Sequence, residues 1–239
     1  MNQTVKNFFE REKEGDVRLE VLANGVRYLS NQCVKFNRLH ESYKPLTDEQ
    51  IDVLQNEVSS AQMSAFVFPK WYKDFLKTTN GCNLYFDCLS LYGEQTPVVW
   101  SEEEKTYVKA LFERTNSNWM APYDLRFTNS IKFDNDSKRR WLTIGVYGYD
   151  GTQVAWDYKI EKIVAMYRLP ITLSVKARRL LKEHDYEKLI CQQWTSFDEF
   201  FMRETKRLND VLSKYGIDKE KGFIHGEKTL PIGHKDYQD

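Results

Sequence analysis

The groups in this chain best suited to chemistry are four cysteines (Cys33, Cys82, Cys88, Cys191), four histidines (His40, His184, His225, His234) and two charge runs, Glu102–Glu104 and Lys138–Arg140. Cys82 follows Asn80-Gly81 and precedes an apolar stretch, where a turn could present a nucleophile. It would need a base and an orienting group beside it in space. The competing reading is a buried structural thiol, which behaves as a small apolar side chain. Five residues separate Cys82 from Cys88, which is not a metal-knuckle spacing, and no histidine pair accompanies them. The glutamates at 102–104 could supply carboxylates for acid–base work or a metal. They also fall in the first turn of a helix predicted over 102–114, where negative charge complements the helix dipole. Lys138-Arg139-Arg140 could touch phosphate, but Asp134 and Asp136 flank it and read it as a charged hairpin turn. His225 and His234 lie in a polar tail, where the sequence offers nothing to hold a ring in a working geometry.

The signatures of phosphate-binding loops, dinucleotide-binding turns, nucleophile elbows and H-E-x-x-H zinc helices are all missing from the sequence. No metal or cofactor is therefore expected, and no catalytic residue is assigned.

The elements that would position these groups follow a clear order. Thr47 with Gln50 forms a capping box ahead of an apolar stripe at Ile51, Leu54 and Val58. A second helix starts at Pro69 and carries Trp71, Tyr72, Phe75 and Leu76, with Asn80-Gly81 as its stop. Strands are predicted over 84–92, 124–133, 141–149, 153–157 and 162–167, with Asp150-Gly151 as a hairpin turn. Helices are expected over 175–181 and 186–190. A longer one begins at Ser196, boxed with Glu199, and buries Phe197, Phe200, Phe201, Leu208, Val211, Leu212 and Tyr215 up to Gly216. Residues 17–36 allow two readings: a helical stripe through Leu19, Leu22, Val26, Leu29, Cys33 and Phe36, or a hairpin about Asn24-Gly25; the stripe is the longer pattern. The expected fold class is α+β, a largely antiparallel or mixed sheet flanked by N-terminal and C-terminal helices. The expected organisation is an extension over 1–43, a domain over 44–215 and a loosely ordered polar tail over 216–239.

Thirty-five basic and 35 acidic side chains cancel, so the chain lacks the positive excess of a nucleic-acid binder. The charge is locally segregated, however. Residues 78–104 contain no Lys or Arg but include Asp87, Glu94, Glu102, Glu103 and Glu104, with Trp100 in the same stretch and Trp119 beyond it. A solvated face explains such a run in the ordinary case; an acidic surface with aromatic anchors, offered to a basic protein partner, is the sharper alternative. No apolar run reaches the length of a membrane helix, and residues 1–15 have no secretory pattern, so the expectation is a cytoplasmic protein with reduced thiols.

Five motifs in this order resemble the SMI1/KNR4 (SUKH) family. They are the capped helix Leu46-Thr47-Asp48-Glu49-Gln50-Ile51; Pro69-Lys70-Trp71-Tyr72-Lys73-Asp74-Phe75-Leu76 through Asn80-Gly81; a strand closing on Leu91-Tyr92-Gly93; Trp141-Leu142-Thr143-Ile144-Gly145 to Tyr149-Asp150-Gly151; and Trp194-Thr195-Ser196-Phe197-Asp198-Glu199-Phe200-Phe201. The likeness covers roughly residues 44–215. The chain departs from it in the first forty residues, a long insertion between Gly93 and Trp141, the polar tail and the absence of net acidity. The resemblance implies that Pro69, Trp71, Phe75, Asn80, Gly81, Gly93, Gly145, Asp150, Gly151, Trp194, Phe197 and Phe200 are mainly structural. It also implies a binding module of the bacterial immunity-protein branch. Such an antitoxin neutralises a cognate toxin, a nuclease among the candidates, by stoichiometric contact, without direct nucleic-acid or membrane binding. The partner surface expected here is Asp87, Glu94, Trp100, Glu102, Glu103, Glu104 and Trp119. Two rival expectations are a regulatory scaffold of the same fold and an enzyme using Cys82 or a carboxylate pair.

Overall fold

The computed structural model describes residues 1–14, 40–42, 45–62, 67–85, 88–94, 98–101, 106–109, 125, 129, 140–167, 182–215 and 226–238. Helix α1 (Gln3–Glu14) is followed by β1 (His40–Ser42), α2 (Asp48–Gln62), α3 (Lys70–Leu76), β2 (Cys82–Leu84) and β3 (Leu89–Leu91). Strands β4 (Val98–Ser101) and β5 (Thr106–Lys109) come next, then β6 (Trp141–Tyr147), β7 (Gln153–Asp157) and β8 (Lys162–Met166). The chain ends with α4 (Glu183–Glu187), β9 (Ile190–Trp194), α5 (Phe197–Tyr215) and α6 (Gly226–Thr229). Seven strands pair in the order β1-β2-β3-β6-β7-β8-β9, every pairing antiparallel, and β4 pairs with β5 alone. The α+β class is therefore present.

Strand alternation divides the sheet into two faces. Leu142, Val154, Ile163 and Trp194 point into the main core with Val5 and Phe8 of α1, Ile51, Leu54 and Val58 of α2, Tyr72 and Phe75 of α3, and Phe197, Phe200 and Leu208 of α5. Ala155, Val164 and Met166 face the other way and pack with Tyr186, Trp141, Leu189 and Ile190. The box at Thr47 forms as its residue types require: Thr47 N–H donates to Gln50 Oε1 at 2.9 Å, and Gln50 N–H donates to Thr47 Oγ1 at 3.3 Å. At α5, Glu199 N–H donates to Ser196 Oγ at 3.1 Å, but the return bond comes from Thr195 N–H, at 2.7 Å, rather than from Ser196.

Several expectations are corrected. The strand predicted over 84–92 is a hairpin of β2 and β3: Tyr85 turns the chain at φ 53°, and Cys88 N–H donates back to its carbonyl at 3.2 Å. The helix predicted over 102–114 does not form at 106–109, which is strand β5. Valines and aromatics at 98–100 and 107–108 favour the paired hairpin over the cap signal of Ser101 with Glu104. The strand predicted over 124–133 fails at Leu125 and Asn129, which are helical, with Asn129 Nδ2 donating to the Leu125 carbonyl at 2.9 Å. The helix predicted over 186–190 begins and ends earlier, at Glu183 and Glu187, and Ile190 opens β9 opposite Met166. Pro69 caps α3 rather than starting it. The tail is no loose extension over 226–238: Thr229, Leu230 and His234 are buried. Residues 17–36 and 175–181, Gly216, Cys33 and Trp119 lie outside the described residues.

Candidate functional site

Helix α3 and strand β7 together build a ladder of rings from the core to the surface. Trp71 stacks on buried Phe197 with centroids 4.8 Å apart and planes 13° from parallel. Trp156 meets Trp71 edge-on at 5.4 Å, and Tyr158 meets Trp156 at 6.4 Å. Trp71 lies on the inner face of a helix whose Tyr72 and Phe75 are already in the core, and Trp156 alternates with buried Ala155 and Asp157. Tyr158 follows the strand into its turn, and its hydroxyl donates to the Val67 carbonyl at 2.9 Å. That bond brings Val67, 67 % exposed, beside a turn that carries Ile160 at 37 %. Half-buried Trp and Tyr rings rimmed by exposed aliphatic side chains have the composition of a protein-binding anchor.

The buried charges are spent on one another. Asp157, fully buried, accepts from Arg140 Nε at 2.8 and 2.9 Å, from Trp141 Nε1 at 3.1 Å and from the Lys159 amide at 2.9 Å. Arg140 also pairs with Glu187 and lies 4.6 Å from the Trp141 ring centre. Burial opposes its charge, but the hydrogen bonds to Asp157 and Glu187 outweigh that and raise its pKa. Arg140 is thus already occupied; Lys138 and Arg139, and with them the charged-turn reading, lie outside the described residues. A second network joins α5 to β6 and the C-terminal segment. Tyr147 donates to Glu204 Oε2 at 2.8 Å, Arg207 Nη2 donates to the same oxygen at 2.6 Å, and Arg207 reaches the carbonyls of Lys228 and Thr229 at 3.0 and 2.9 Å. Burial, with Glu204 beside it, raises the Tyr147 phenol well above its usual range.

His234 is held after all. Its Nδ1 accepts the Asp236 amide at 3.1 Å, and its Nε2 lies 3.0 Å from Asp150 Oδ2, within ion-pair distance but off the line that a hydrogen bond takes. Sequence patterning misses this pair because Asp150 reads as a turn residue and the tail has no period; no local signal joins them. Glu204 and Arg207 leave a trace, a charged pair three apart on the apolar face of α5.

Cys82 and Cys191 are poor nucleophiles. Cys82 is fully buried, and desolvation drives its pKa far up; burial pushes Cys191 up to about 12. Among the described residues no group of three or more His, Cys, Asp or Glu could hold a metal ion, and no helix is long and apolar enough to cross a membrane.

The expected partner surface is not brought together by the described residues. Glu94 is held by its backbone, N–H to Asn80 Oδ1 at 2.6 Å and carbonyl to Asn80 Nδ2 at 2.9 Å. Trp100 takes a place in β4 opposite Tyr107. Asp87 and Glu102–Glu104 lie outside the described residues, the glutamates falling in the connection from Ser101 to Thr106. Residues of the five motifs occupy packing and turn positions. Gly81 and Gly151 have φ of 81° and 82°. A Cβ at Gly93 would fall 2.4 Å from Asn80 Oδ1, and one at Gly145 would fall 2.5 Å from the Ser90 carbonyl. Set against protein-family models, curated proteins and solved structures, the chain matches none of them.

Proposed function

We propose that this chain is an immunity protein: it binds a cognate toxin one to one and neutralises it by covering the toxin's working surface, without chemistry of its own. The observation that carries the reading is the ladder Trp71–Trp156–Tyr158, which ends on a surface rimmed by Val67 and Ile160. Such anchors supply most of the binding energy in protein interfaces. The described ionisable groups support the same reading. Asp157, Arg140, Glu204 and Arg207 are consumed by structural pairs, and two of the thiols are held protonated by burial. The five ordered motifs supply the toxin-neutralising half of the proposal, by resemblance to the SMI1/KNR4 family.

The test is a titration of toxin activity, using toxin domains encoded beside the gene for this chain. Neutralisation should end at one equivalent, and Tyr158→Ala should weaken binding about tenfold or more.

A further inference from the structure

We propose that the C-terminal segment Gly226–Gln238 is a strap that closes the β9 edge of the sheet against pairing with a second copy of this chain. Strand β9 ends the strand order, and among the described residues no strand pairs with its outer side. Its sequence, Ile190-Cys191-Gln192-Gln193-Trp194, contains no Lys, no Pro and no charge, the usual guards of an open edge. The zero formal charge of the chain adds no long-range repulsion between copies. Left open, such a strand templates antiparallel pairing with its own counterpart.

The strap is built to lie on this edge. Gly233 N–H donates to Gln192 Oε1 at 3.1 Å, and its backbone sits so close to β9 that a Cβ there would fall 2.0 Å from the Cys191 carbonyl oxygen. On one side of Gly233, Pro231 is buried and has no N–H to offer. On the other, His234 is wedged between Asp150 and the Tyr167 ring, 4.5 Å away, and the Lys235 amide donates to the Tyr167 hydroxyl at 2.8 Å. Successive turns, His234 N–H to the Pro231 carbonyl at 2.8 Å and Tyr237 N–H to the His234 carbonyl at 3.0 Å, keep the strap from being a strand itself. It therefore covers the edge without presenting a new one. Arg207 fixes its near end through the Lys228 and Thr229 carbonyls, and Tyr149 packs on Gly226.

Gly233→Ala places a methyl group against the Cys191 carbonyl and should lift the strap; Gln192→Ala, which removes only the acceptor for Gly233, is the gentler second variant. Hydrogen exchange of the 190–194 amides should quicken about tenfold or more in both, while amides of 200–208 stay protected. Light scattering should show concentration-dependent association that wild type lacks, reversed by adding Gln193→Lys on the exposed side of the strand. If 190–194 exchange and mass match wild type in both variants, or if association persists with Gln193→Lys, the strap has no such role.

Discussion

The Tyr147 hydroxyl donates a 2.8 Å hydrogen bond to Glu204 Oε2 in the core, tying strand β6 to helix α5 across 57 residues of sequence. Arg207 holds the same carboxylate and neutralises it, with both side chains almost wholly enclosed. A paired charge of this kind is costly to break from one side, since the survivor stays buried without compensation. Arg207→Met should therefore lower stability by about 3 kcal/mol or more, while Tyr147→Phe should cost about 2 kcal/mol, the value of one hydrogen bond to a charged group. Urea unfolding of both variants checks the difference, and equal effects would contradict it.

Acid should unfold the protein partly through Asp74. Hydrogen bonds from Lys70 and then from the chain's own amino terminus lower its pKa from the ordinary 3.8 to about 2. A depressed carboxylate contributes stability that is complete above its unfolded value and is lost as pH falls through the folded one. The window is thus from about pH 4 down to pH 2. Asp74→Asn should be less stable than wild type at pH 6, with the gap closing across that window in thermal melts. A gap that stays constant would show that Asp74 titrates as it does in the unfolded chain.

Native thiols should be slow to react. Cys82 is fully buried, and Cys191 is pushed up to about 12, so neither supplies appreciable thiolate at neutral pH. Alkylation mapped by mass spectrometry at pH 7.5 should modify both only after denaturant is added. Rapid labelling of Cys82 in the native protein would favour the enzyme reading.

What was legible in the sequence follows how local the physics is. Thr47 with Gln50 and the Phe197–Phe200–Leu208 stripe depend on neighbours within a turn or two, and they appear where expected. The β6–β7–β8 run appears too, because Asp150-Gly151 and short apolar, β-branched-rich runs bounded by turns mark it. Residues 98–109 mislead because Ser101 and Glu104 mimic a helix start while the flanking valines and aromatics pair across a hairpin. The Asn129 helical position and the docked tail depend on partners far along the chain, Thr143 for one and Gln192 with Asp150 for the other. The ladder was half legible. Trp71 is expected to be structural and Trp156 falls in a predicted strand, but only the Tyr158–Val67 bond shows that the rings lead out to a surface.

Stoichiometric neutralisation through that surface can be read from a titration. Purified toxin encoded beside the gene is assayed at increasing ratios of this protein, as wild type and as Tyr158→Ala. Toxin activity should fall linearly and end at one equivalent, with affinity about tenfold or more weaker in Tyr158→Ala, measured at a temperature where both proteins are fully folded. Neutralisation by a small fraction of an equivalent, or none at several equivalents, would contradict it.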